Sequence, residues 1–128
     1  MTLVMARQFG DRICILSDTM ISSREAPKDD VIPGQLKTIV LNDTISISYS
    51  GSVNPAIMKI REIRKEIYKG VPLDRILETL SKFTLEKNGE VDFIVASHIL
   101  TPSLYKIANG NISSKSDRYW IGDADAAT

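Results

Sequence analysis

The side chains that could do chemistry in this chain are few, and most stand alone. One cysteine and one histidine occur in 128 residues. An internal disulfide is therefore excluded, as is a zinc site of the usual four Cys and His ligands. Cys14 lies in the apolar run Ile13-Cys14-Ile15-Leu16. That run reads as a strand covered on both faces, where a thiol is an inert packing group. His98 falls late in a strand-like run, where a lone imidazole is more often a surface or core residue than an acid–base group. The serines are more pointed. Ser46, Ser48 and Ser50 alternate with Ile45, Ile47 and Tyr49, so one face of that strand is small and polar. Such a face suits a ligand lying close against the strand, or plain contact with solvent. The last candidate is Thr2. Methionine before a small residue is normally trimmed, which would make Thr2 the first residue.

The elements that must position these groups follow from periodicity. Runs 2–8 and 12–18 read as two strands around Phe9-Gly10-Asp11, a hairpin signal. Residues 19–36, with Ser22, Ser23, Pro27, Asp29, Asp30, Pro33 and Gly34, read as a long surface loop. A second hairpin joins strands 37–41 and 44–50 through Asn42-Asp43. After Ser50-Gly51-Ser52 a helix opens at Asn54-Pro55, with Ile57, Ile60, Ile63 and Ile67 on one side, and Gly70 closes it. A second helix from Pro72 buries Leu73, Ile76, Leu77, Leu80 and Phe83 and closes at Asn88-Gly89. Strands 92–99 and 103–107 form a hairpin around Leu100-Thr101-Pro102, Asn109-Gly110 is a further turn, and strand 118–121 runs into Gly122. Four strands, two helices and three strands, with the helices segregated from antiparallel hairpins, predict an α+β layered fold of one domain over residues 1–128.

Composition narrows the partners. Sixteen basic residues balance sixteen acidic ones, so overall charge gives no reason to expect nucleic acid or an anionic membrane. Lys59, Arg61, Arg64 and Lys65 on the first helix are interleaved with Glu62 and Glu66, as on a solvated face. No apolar run approaches the ~20 residues of a membrane span, and the first residues lack a signal-peptide layout. The expected compartment is the cytoplasm.

Five segments give the scattered groups an order: Thr2-Leu3-Val4, Gly10-Asp11, Ser17-Asp18-Thr19, Lys37-Thr38-Ile39 and Tyr49-Ser50-Gly51-Ser52. In order and spacing they resemble the opening of proteasome β-type subunits, which are N-terminal-nucleophile (Ntn) hydrolases. The resemblance covers residues 2–124, the front portion of that family's domain. It implies an αββα sandwich of antiparallel sheets, incomplete at its C-terminal end. It also implies amide-bond hydrolysis through an acyl-enzyme on Thr2, without metal or cofactor. The liberated α-amine of Thr2 would act as base, since an α-amine titrates near ~7.7–8, close to working pH. Lys37 would favour the neutral amine and the developing alkoxide, Asp18 would hold Lys37 charged, and the Gly51 N–H would face the oxyanion. Tyr49 and Ser50 would contact the substrate, a peptide or small amide. The family has Gly-Ser-Gly where this chain has Gly122-Asp123-Ala124, so Asp123 stands in the serine's place. Read singly, the same residues are an edge-strand threonine, a strand-end aspartate, a solvated lysine and a turn glycine. The family assembles as rings, and a sheet lacking its covering helices would expose apolar surface. A homo-oligomer or a completing partner chain is therefore expected. The competing functional readings are a catalytically inactive assembly module and an unrelated α+β binding domain.

Overall fold

A computed structural model of the chain describes residues 3–17 and 38–122. Strands β1 (Leu3–Phe9) and β2 (Arg12–Ser17) form the first hairpin, and β3 (Thr38–Val40) and β4 (Ile45–Gly51) the second. Helices α1 (Val53–Tyr68) and α2 (Leu73–Glu86) follow. Strands β5 (Val91–Ser97), β6 (Ser103–Ala108), β7 (Asn111–Ser113) and β8 (Arg118–Gly122) complete the order. All pairings are antiparallel: β2-β1-β8 in one sheet and β3-β4-β5-β6-β7 in the other. The fold is α+β, as the segregation of helices from hairpins predicts.

Local chemistry explains the turns. The Asn42 side-chain oxygen accepts the N–H groups of Thr44 and Ile45 at 2.8 Å each, an Asx turn that aims β3 back along β4. Helix α1 ends where Gly70 N–H meets Ile67 O at 3.0 Å and Val71 N–H meets Glu66 O at 3.0 Å, the paired bonds of a Schellman motif. At Asn109-Gly110 both residues have positive φ, +51° and +80°. That is the geometry of a two-residue hairpin turn. It leads into β7, a strand the sequence pattern does not announce because its three residues are all exposed.

Packing makes three layers. On one face of the five-stranded sheet, Ile45, Ile47, Tyr49, Val91, Phe93 and Val95 meet Ile60 and Ile63 of α1 and Ile76, Leu77 and Leu80 of α2. Each such side chain, fully removed from water, contributes about 1.5–3 kcal/mol. On the other face, Ile94, Ala96 and Leu104 pack against Val4, Ala6 and Ile121 of the three-stranded sheet. The layers are thus helices, five-stranded sheet, three-stranded sheet. No helix among the described residues is long and apolar enough to cross a membrane.

The expectation for Cys14 is corrected here. The run 13–16 is covered on one face only: Ile13 and Ile15 turn inward, while Cys14 and Leu16 are exposed. No described residue layers over the outer side of β2-β1-β8, so an all-apolar strand need not be buried on both sides.

Candidate functional site

Thr2, Asp18, Lys37 and Asp123 lie outside the described residues. Their chain neighbours Leu3, Ser17, Thr38 and Gly122 are described, and each terminates a strand. Register brings three of them together, because Leu3 pairs with Gly122 and Val4 with Ser17. In the other sheet Thr38 pairs with Ser48, on the approach to Gly51. The two sheets are oriented by Gln8, whose side-chain amide donates to Pro102 O at 2.9 Å in the β5–β6 turn. The Phe9 end of β1 therefore lies over that turn. The Leu3 end is directed the opposite way, toward the end where β4 finishes at Gly51 and β5 begins at Val91.

The serine face of β4 is interior at Ser48 and Ser50, while Ser46 is half-buried. Ser48 is 0% and Ser50 3% exposed, beneath the strands of the smaller sheet that touch β4. Solvent contact, one of the two readings open in the sequence, does not describe Ser48 and Ser50. Thr38 and Ser48 share a hydroxyl–hydroxyl hydrogen bond of 2.8 Å, which ties β3 to β4 on this face. Tyr49 alternates to the opposite side. It is 0% exposed within the helix-side core, and burial raises its phenol above the usual range. In this structure Tyr49 is a core residue and offers no surface to a substrate, because position 49 shares the face of Ile45 and Ile47 under the helices.

Gly51 sits at a close approach. Its φ is +105°, and a Cβ there would lie 1.8 Å from the Glu90 carbonyl oxygen. The same oxygen accepts the Ser52 N–H at 3.1 Å, seating the first turn of α1. Packing by itself accounts for a glycine at this position.

Sequence reasoning missed Asp92. It pairs with Ser50 across β4 and β5, and it alternates with Ile94 onto the inter-sheet face. Its Oδ1 is buried with no hydrogen-bond partner among the described residues. Burial raises its carboxyl above the usual range, and the charge of Lys106 lowers it in part. The available signal is a single acid within the otherwise apolar strand Val91-Asp92-Phe93-Ile94-Val95. His98 lies just beyond β5 and is exposed, its N–H donating to Thr44 O at 2.7 Å. Among the described residues no cluster of three or more His, Cys, Asp or Glu side chains could hold a metal ion. In comparisons with known proteins, no family model and no curated protein matches this chain.

Proposed function

We propose that the chain is a proteasome-like N-terminal-threonine hydrolase that cleaves peptide or small amide bonds through an acyl-enzyme. Thr2, freed of Met1, supplies both hydroxyl and amine. Lys37 steers the amine toward its neutral form, Asp18 pairs with Lys37, and the Gly51 N–H receives the oxyanion. The observation that supports this reading is topological. The strand ends at Leu3, Ser17, Thr38 and Gly122 open toward the end of the two-sheet core that holds Gly51. Leu3, Ser17 and Thr38 are the sequence neighbours of Thr2, Asp18 and Lys37, which the mechanism invokes. Intact-mass analysis of the purified protein tests the premise: Met1 should be absent. An epoxyketone, which condenses with an N-terminal threonine's amine and hydroxyl, should then add its mass at Thr2, and Thr2→Ala should abolish the adduct. Full retention of Met1 would defeat the hydrolase reading, since the nitrogen of residue 2 would be an amide.

A second reading is an inactive relative that serves as an assembly module. It is favoured by the exposed apolar side chains on the outer face of the three-stranded sheet. Retained Met1 together with a stable oligomer would select it.

A further inference from the structure

Asp92 puts a carboxyl on the face of β5 that meets the three-stranded sheet. It alternates with Ile94 and Ala96, which belong to the cluster joining the two sheets. Its Oδ1 is buried without a hydrogen-bond partner, and Asp92 forms no salt bridge among the described residues. Lys106 of β6 stands one step along, opposite Ile94, and its ammonium lies 5.8 Å from the Trp120 ring centroid. Tyr119 of β8 also packs against the cluster, and its hydroxyl accepts the Ser116 N–H at 3.0 Å. Neither takes up the free oxygen of Asp92. A carboxylate withdrawn from water without a partner costs the fold stability, so packing gives no reason for an acid at this position.

Its place in the register gives one. Ala6 and Val4 of β1 share the cluster with Ala96 and Ile94 of β5. Both strands approach the Gly51 end as their residue numbers fall. Two residues beyond Ile94 is Asp92, directly opposite Ser50, which Gly51 follows. Two residues before Val4, at the same parity, is Thr2, which lies outside the described residues.

We propose that Asp92 is a positioning residue for the Thr2 amine, its carboxylate stabilising the ammonium that forms when the amine takes the hydroxyl proton. This inference rests on the hydrolase reading. In that reaction Thr2 Oγ bonds to the substrate carbonyl carbon, and its proton passes to the α-nitrogen. The C=O electron pair moves onto the oxygen that the Gly51 N–H receives. When the substrate C–N bond breaks, its nitrogen takes the same proton from the ammonium. The ammonium exists only between those two steps. A carboxylate already fixed beside it favours that state over the resting, neutral amine, and so lowers the barrier. The stability that Asp92 costs the resting fold is the counterpart of this gain.

The test compares the full chain, freed of Met1, with Asp92→Asn, which keeps the shape of the side chain and removes its charge. The probe is a β-lactone. Its carbonyl acylates a threonine hydroxyl as the ring C–O bond opens, and the released ring oxygen takes the proton from the ammonium. Intact mass follows the adduct against time and pH. Acylation needs the neutral amine, so its rate rises through the amine's titration and then levels. A neighbouring carboxylate favours the ammonium. Its removal should therefore move the half-maximal rate about one pH unit lower and slow the level rate by up to about tenfold, the equivalent of that unit. Urea unfolding should meanwhile find Asp92→Asn at least as stable as the parent. Loss of rate without loss of stability is what a merely structural acid would not give. Equal rates and equal midpoints in the two proteins overturn the inference and leave the hydrolase reading standing. A slower Asp92→Asn with an unmoved midpoint, or one that is less stable or unfolded, also overturns it, since Asp92 would then be a structural residue. A parent that is not acylated defeats the hydrolase reading and this inference with it.

Discussion

Alanine at position 51 probes the junction on which the end of β4 and the start of α1 both depend. The added Cβ would lie 1.8 Å from the Glu90 carbonyl oxygen, 2.9 Å from its carbon and 3.2 Å from the Val91 Cα. All three are backbone atoms, so no side-chain rotation relieves the overlap. A non-glycine residue at φ +105° also carries strain of about 1–3 kcal/mol. Moving Glu90 away breaks the Ser52 N–H bond of 3.1 Å to its carbonyl, worth about 1 kcal/mol more. Gly51→Ala should therefore destabilise the protein by about 3 kcal/mol, a large share of the roughly 5–15 kcal/mol typical of folded domains. Gly10→Ala is the control. Its φ is +60° with nothing within 4 Å of the added Cβ, so only backbone preference is lost, about 1 kcal/mol. Urea unfolding of both variants, followed by circular dichroism, gives the difference. If Gly51→Ala is no worse than Gly10→Ala, the reasoning from the Glu90 contact is refuted. If it is far worse, glycine at 51 is demanded by packing whether or not an oxyanion is ever bound there. The catalytic reading then rests on Thr2 and not on the identity of residue 51.

Thr84 is 0% exposed, donates to Ser81 O at 2.8 Å and accepts the Gly110 N–H at 3.0 Å. Thr84→Val should cost about 1–3 kcal/mol by stranding that N–H, while Thr84→Ser retains most of the stability; thermal unfolding distinguishes them. Asp92 titrates above its unfolded value because of burial, so its ionised form at neutral pH costs the native state stability. The cost disappears below the unfolded value near ~3.9, where both states are protonated. Asp92→Asn should accordingly be more stable than the parent at about pH 7 and equal to it near pH ~3, a trend measurable by urea unfolding at each pH. Cys14 is exposed, so a thiol reagent should modify it fully without denaturant; a thiol that reacts only after unfolding would contradict its outward placement on β2.

Several features were legible because short-range chemistry dictates them. The stripe Ile60-Ile63 and the stripe Ile76-Leu77-Leu80 mark the inner faces of α1 and α2, and those are the residues the core buries. Asn42-Asp43, Gly70 and Asn88-Gly89 punctuate the chain where their backbone bonds and positive φ values require it. Strand β7 escaped because three exposed polar or isolated residues carry no periodicity; only the Asn109-Gly110 turn before it pointed to a returning strand. Asp92 escaped because a lone acid inside an apolar run declares nothing about what lies across from it.

Position along the chain and alternation determined which residues share a face: Ser46, Ser48 and Ser50 against Ile45, Ile47 and Tyr49, and Cys14 and Leu16 against Ile13 and Ile15. What covers each face was decided only by tertiary structure. Pairing of β1 with β8, far apart in sequence, builds the small sheet that covers Ser48 and Ser50, so most of a polar face became interior. The small sheet also left one side of an entirely apolar run uncovered, so Cys14 and Leu16 face outward while Ile13 and Ile15 face the core. Period-two patterning is a property of a few neighbouring residues. Burial is a property of whatever packs against them, and that is set by contacts between segments that no local pattern links.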